Sequence, residues 1–483
     1  MRTRCFLMLL LVIPIARAQT MTDRDRALAT SYGERFVDAI NTLFDEERAG
    51  VARAIFAEAT IEDAGEERLT GLFSRLHEMM GPVTFHHAEV VEVDLGSRIS
   101  RILHVYVRAT TDDAWKDIQL RLAGEPPYKI TELGFLADVS EPIYLPNSPV
   151  DAPSTLDWLS GYIDALVRDE GLSGAMLIAK GDRVIFERYF GFADSAGTRP
   201  VTAGTRFNLG SGNKMFTALA VAHLVEQGRL TFETPIQPFF PEFPGLDGVT
   251  IHHLLSHTSG VAEYWTDAYE RAWHAIDRLE DMLPFVLAAG IERPAGEAFS
   301  YSNSNFILAG LVVERVTGED YFDVVRSLIY EPLGMTQSDS YRHGEGTPDR
   351  AEALVRLPSG AWARADTPGR GSAAGGGYAT PRDMLRFVQG LEAGAIVSSQ
   401  TLQTLRTSKT TGFEAPFQYG YGFILSRDGD VDSYGHGGTA RGVNFELRRF
   451  PTPDLTLILF SNRDSGAYDD LKRNTIKLIS GDR

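Results

Sequence analysis

The stretch FNLGSGNKMFTALAVAHLVEQGRL, residues 207–230, decides how the rest of the chain reads. Ser211 sits between two glycines and is followed by Asn213 and Lys214, and an apolar run then continues to Gly228, which reads as a helix stop. Positions three apart share a helix face, so the amine of Lys214 can hang beside the hydroxyl of Ser211. A hydroxyl is a weak nucleophile, and an amine can take its proton only if burial or a neighbouring cation lowers the amine's pKa towards neutrality. An apolar helix supplies that burial. Its N-terminus also points backbone N–H groups at the serine, ready to hold an oxyanion. Standing alone, S-x-x-K reads rather as a capping serine and a surface lysine, so further signals have to decide.

At 483 residues the chain exceeds one ordinary domain and two are expected. Arg2 and Arg4 precede an apolar run from Phe6 to Ile15, and Ala16-Arg17-Ala18 follows, which predicts a cleaved signal peptide over residues 1–18. Its removal takes three arginines and no acids, so the formal net charge moves from -18 to -21. Such acidity argues against nucleic acid or an anionic membrane as partner. The one cysteine, Cys5, lies before the apolar run, so the mature chain has no disulfide, no thiol nucleophile, no thiolate metal site and no lipidated anchor. The expectation is an exported protein, periplasmic or extracellular, without a stable membrane anchor.

Residues 22–140 read as an α+β domain. Two or three helical patterns come first, with stripes at Phe36, Val37, Ile40 and Phe44 and at Leu69, Leu72, Phe73 and Leu76. Strands follow over 83–95, 99–109, 114–123 and 128–138, separated by short turns. Helices followed by an antiparallel meander resemble nuclear-transport-factor-like or cystatin-like modules. His86 and His87 are adjacent on a strand and so point to opposite faces, which excludes a shared metal. A proline-rich linker spans 141–153, and Ser154 is expected to cap a helix striped by Leu159, Tyr162, Ile163, Leu166 and Val167. A hairpin turning at Gly181-Asp182 comes next, then helical and loop segments from 211 to about 390. Strands return over 419–426, 432–438, 442–450 and 454–461, closed by a helix carrying Tyr468, Leu471, Leu478 and Ile479. Residues 154–483 thus read as one antiparallel sheet split in sequence, flanked by helices, with a helical subdomain inserted.

Two later stretches complete the chemistry. FSYSNSNF carries Tyr301 and Asn303 two residues apart, so a phenol that relays a proton and an amide that holds a carbonyl can face one cleft. Tyr434-Gly435-His436-Gly437-Gly438-Thr439 is a strand that loses its side chains where something must approach its backbone. In this order the three signals, together with TIHHLLSHTSGV (250–261), RPAGEAFSYSNSNFILAGLVVERVTGEDY (293–321), YEPLGMTQS (330–338) and GGGYATPRDMLRFV (375–388), resemble the serine β-lactamase, penicillin-binding protein and esterase superfamily, nearest its class C and esterase branch, over residues 155–480.

That resemblance implies a β-lactamase/transpeptidase-like fold and a set of roles. Ser211 would be the acylated nucleophile and Lys214 would help deprotonate it. Tyr301 would carry the proton to the leaving group and later activate water. Asn303 would bond the substrate or the lysine. His436, Gly437 and Gly438 stand where the family has K-T-G, and the N–H groups of Ser211 and Thr439 would form the oxyanion hole, at roughly 3 to 4 kcal/mol per donor. No metal and no cofactor is implied. His436 replaces the lysine that meets a substrate carboxylate, a loss of about 1.5 to 3 kcal/mol, which points to small-molecule esters, amides or peptides without a free carboxylate. Arg441 could restore the charge, although a solvated arginine is the simpler reading. A β-lactamase, a D-alanyl-D-alanine carboxypeptidase and a non-catalytic protein binding peptidoglycan fragments or a partner stay open as alternatives. His253 and His257, spaced i, i+4, could grip zinc, but no carboxylate stands where a metalloprotease helix needs one. The sequence assigns no oligomeric state.

Overall fold

The computed structural model describes residues 23–481 apart from 43, 95–98, 112–114, 123–128, 140–144, 147, 343–348 and 411–416. The expected signal peptide and part of the expected linker lie outside the described residues. The chain divides into two compact units, Met1–Leu145 and Pro146–Arg483. No described helix is long and apolar enough to cross a membrane.

In the first unit, helices α1 (Asp23–Asn41), α2 (Asp45–Ile55), α3 (Glu58–Ala64) and α4 (Glu66–Met80) precede strands β1 (Val83–Asp94), β2 (Ile99–Ala109), β3 (Trp115–Leu122) and β4 (Ile130–Val139). The strands form an antiparallel meander in sequence order. Phe36 meets Phe73 edge-on at 5.2 Å, and both pack on the inward β-branched and leucine residues of the sheet, Leu103, Val105, Val107, Ile118 and Leu120. Period-2 alternation therefore works as read. Phe44 departs from the expected stripe. Helix α1 stops at Asn41, and Phe44, outside it, is 68% exposed. The side chains of His86 and His87 lie outside the description, and a bulge breaks the strand's register between Phe85 and His87.

The second unit opens with α5 (Pro153–Asp169), which begins one residue before the expected cap. Pro153 occupies the first helical turn, where its fixed φ and missing N–H cost nothing, and Ser154 lies inside the helix without capping it. The hairpin β5 (Gly174–Lys180) and β6 (Arg183–Phe190) follows. After it come α6 (Asn213–Glu226), α7 (Asn303–Thr317) and α8 (Pro381–Glu392), then β7 (Gln418–Tyr419), β8 (Ile424–Asp428), β9 (Val431–Ala440), β10 (Val443–Phe450), β11 (Leu455–Ser461) and α9 (Gly466–Ser480).

One seven-stranded antiparallel sheet runs β7-β8-β9-β10-β11-β5-β6, so the N-terminal hairpin joins the C-terminal strands. Its central strands are buried on both faces, GAMLIAK but for Lys180 and LTLILFS throughout, because α8 packs on β5 and β11 and α9 on β8 and β11. The expected strand over 419–426 is broken in two. At Gly422 (φ 75) the chain turns beneath α6, where a Cβ would lie 2.5 Å from the Ala218 Cβ and 2.8 Å from the Lys214 carbonyl oxygen. Helix α6 is apolar all round and lies inside the core. Phe216 stacks edge-on with Tyr330 and Phe387, and every residue from Asn213 to Ala222 is buried.

Candidate active site

Ser211 sits on a single 3-10 turn, Gly210–Gly212, that feeds directly into α6. Two segments hold this turn. Phe207–Asn208 pairs with Tyr378–Ala379, and the Leu209 N–H donates to the Gly377 carbonyl. On the other side β9 passes so close that a Cβ on Gly438 would lie 2.0 Å from the Leu209 carbonyl oxygen and 2.8 Å from the Ser211 nitrogen. The glycines of β9 are therefore where the serine turn meets the strand's backbone. Thr439, one residue on, lines the same cleft as Ser211.

The Lys214 amine is fully enclosed. It donates to Ser211 Oγ at 3.1 Å, to Asn303 Oδ1 at 2.7 Å and to the Ala374 carbonyl at 2.6 Å. Burial pulls its pKa from 10.5 to about 7, and the Glu263 carboxylate opposes the shift. Two of its three partners are carbonyl oxygens and can only accept. In the neutral amine both N–H bonds go to them, which leaves the lone pair facing the Ser211 hydroxyl.

Tyr301 lies in the segment before α7, its hydroxyl bonded to Ser211 and its ring 4.9 Å from the Lys214 nitrogen. Burial pushes this phenol well above its ordinary value, so it enters the site protonated. Its ring lies on His257, centroids 4.1 Å apart at 28°. His257 has φ 59 and is wholly buried; its Nδ1 accepts from the Ser302 N–H at 3.1 Å, which puts the ring proton on Nε2. It belongs to the packing beneath Tyr301. His253 instead closes a capping box, Nδ1 accepting from the Thr250 N–H, so the two histidines are separately engaged. Among the described residues no group of His, Cys, Asp and Glu could hold a metal.

His436 is placed differently from the expectation that it faces the substrate. It is 3% exposed, its Nδ1 bonds the Gly437 carbonyl and its Nε2 accepts from the Tyr419 hydroxyl at 3.0 Å. Burial, then the nearby Lys214, lower its pKa to about 3, so it carries no charge. Arg441 is exposed. The cleft over Ser211 is lined by several aromatic residues, Tyr264, Trp265, Tyr269, Tyr341 and Tyr378.

Three contributors had no legible sequence signal. The Ala374 carbonyl, the Tyr419 hydroxyl and the Glu263 carboxylate each act through a contact made across the fold.

The split antiparallel sheet flanked by helices is the architecture of the serine-hydrolase family of β-lactamase fold. The beta-lactamase family model matches residues 159–480, and the chain belongs to that family. Esterase EstB of Burkholderia gladioli is 32% identical over 337 residues, covering 60% of this chain and 85% of the esterase. Penicillin-binding protein 4* of Bacillus subtilis (strain 168) is 26% identical over 325 residues, 63% of this chain and 71% of that protein. The crystal structure of a penicillin-binding protein from Bacillus halodurans aligns with a TM-score of 0.60 at 33% identity, covering 65% of this chain and 99% of that one.

Proposed function

We propose that this protein is an exported serine hydrolase that cleaves small esters, and small amides or peptides lacking a free carboxylate, through an acyl-enzyme on Ser211. The observation that carries the reading is the enclosed Lys214 amine with a pKa of about 7 and Ser211 Oγ at 3.1 Å. Neutral Lys214 takes the Ser211 proton as Oγ attacks the acyl carbon, and the N–H groups of Ser211 and Thr439 hold the oxyanion. The proton passes through the Tyr301 hydroxyl to the leaving alcohol or amine. Water then enters, loses its proton back along the same path, and releases the acid and the free serine.

The preference for esters is supported by the uncharged, internally bonded His436 and by likeness to an esterase. Export is supported by the charge and apolar pattern of residues 1–18. Ser211→Ala should abolish both hydrolysis of p-nitrophenyl esters and labelling by a fluorophosphonate probe. Unchanged labelling would rule out Ser211 as the nucleophile.

A further inference from the structure

The loop that follows HLLSHTSG brings one carboxylate to the edge of this centre. Ser302 Oγ and Ser304 Oγ both donate to the Ala262 carbonyl, at 3.3 Å and 2.5 Å, which pins the loop to the start of α7. The next residue, Glu263, is thereby set against Asn303. Its Oε2 accepts from the Asn303 N–H at 2.8 Å and from Asn303 Nδ2 at 3.0 Å, while Oε1 accepts from the Trp265 N–H at 3.2 Å.

We propose that Glu263 is a positioning residue for the serine–lysine pair, fixing which way the Asn303 amide faces and so keeping the Lys214 lone pair free for Ser211. The argument is one of donors and acceptors. A carboxylate can only accept, so the Asn303 Nδ2 must turn towards Glu263 and Oδ1 towards Lys214. In that orientation Oδ1 takes one N–H of the neutral amine and the Ala374 carbonyl takes the other. With the amide reversed, Nδ2 would donate to the amine's lone pair, and the group meant to receive the Ser211 proton would be occupied. Glu263 is also the charge that acts on Lys214, because the other titratable groups around that amine, Tyr301, His257 and His436, are all held neutral by burial. The inference rests on the serine-hydrolase reading for its kinetic consequences and on geometry alone for its effect on Lys214.

Two variants and two measurements test it. Glu263→Gln keeps an oxygen for Asn303 and removes the charge; Glu263→Ala removes both. Lys214 is titrated by NMR with the lysine ε-carbon labelled, the resonance being assigned by its loss in Lys214→Gln. In Glu263→Gln the Lys214 pKa should fall by roughly half a unit to one unit, and the acid limb of kcat/KM for a p-nitrophenyl ester should move to lower pH by the same amount. In Glu263→Ala the plateau kcat should drop about tenfold or more, with KM changed much less. A Lys214 titration identical in wild type and Glu263→Gln, or a plateau kcat in Glu263→Ala equal to that of wild type, overturns the proposal. Should the wild type hydrolyse no ester, the functional reading fails by itself, since the NMR titration still decides what Glu263 does.

Discussion

Replacing Lys214 by methionine should remove activity and make the second unit lose stability relative to wild type as pH rises from 7 to 9, because an amine held at a pKa of about 7 in the fold titrates at 10.5 once unfolded. Between these values the unfolded chain carries a proton that the folded chain has released. Stability therefore rises with pH across the window from about 7 to 10.5, by about 1.4 kcal/mol per unit. Relative to an unperturbed lysine, the buried amine costs about 4 kcal/mol at pH 7 and about 2 kcal/mol at pH 9. Methionine has similar volume and no charge, but it leaves the Ala374 carbonyl and Asn303 Oδ1 without a donor, at about 1 to 3 kcal/mol each. The loss of about 2 to 6 kcal/mol for the pair brackets the roughly 4 kcal/mol regained at pH 7, so the two nearly offset there, and the variant should lose about 2 kcal/mol relative to wild type between pH 7 and pH 9. That change with pH is the sharper number, since the lost hydrogen bonds cancel from it. Urea unfolding followed by tryptophan fluorescence suits the measurement, as four of the five tryptophans lie in residues 146–483. A stability difference between the two proteins that stays constant from pH 7 to pH 9, or a variant that gains on wild type over that range, would refute a buried neutral amine.

Two further outcomes follow from the same geometry. Gly438→Ala puts a methyl group 2.0 Å from the Leu209 carbonyl oxygen, so β9 must move off the serine turn and its donor leaves the oxyanion position; kcat should fall by about a hundredfold or more, and a wild-type kcat would show that β9 does not form that site. Because His436 is neutral and bonded to Tyr419, kcat/KM should be higher for chromogenic esters than for cephalosporins, and the reverse order in a substrate panel would remove the basis for the ester preference.

Much of the architecture is written in local pattern. The split sheet is legible because GAMLIAK and LTLILFS are mostly apolar, as a strand covered on both faces requires. The meander at 83–139 follows from alternation, and the serine–lysine pairing from a spacing of three on an apolar helix. Boundaries were less secure where one residue type can serve two ends, as with Pro153 and Ser154, or where glycines divide an apparent strand, as at Gly422.

What sequence alone determined here is which groups could react: a hydroxyl, an amine one turn away, a phenol beside an amide, and a strand stripped of side chains. Tertiary structure decided their state. The Lys214 pKa depends on how completely other segments exclude water from it, the Asn303 orientation on a carboxylate forty residues earlier, and the neutrality of His436 on its burial and on the nearby Lys214. Spacing along a chain fixes neighbours within one helix or strand, whereas burial and charge are sums over everything that packs around a group, and those neighbours come from every part of the fold.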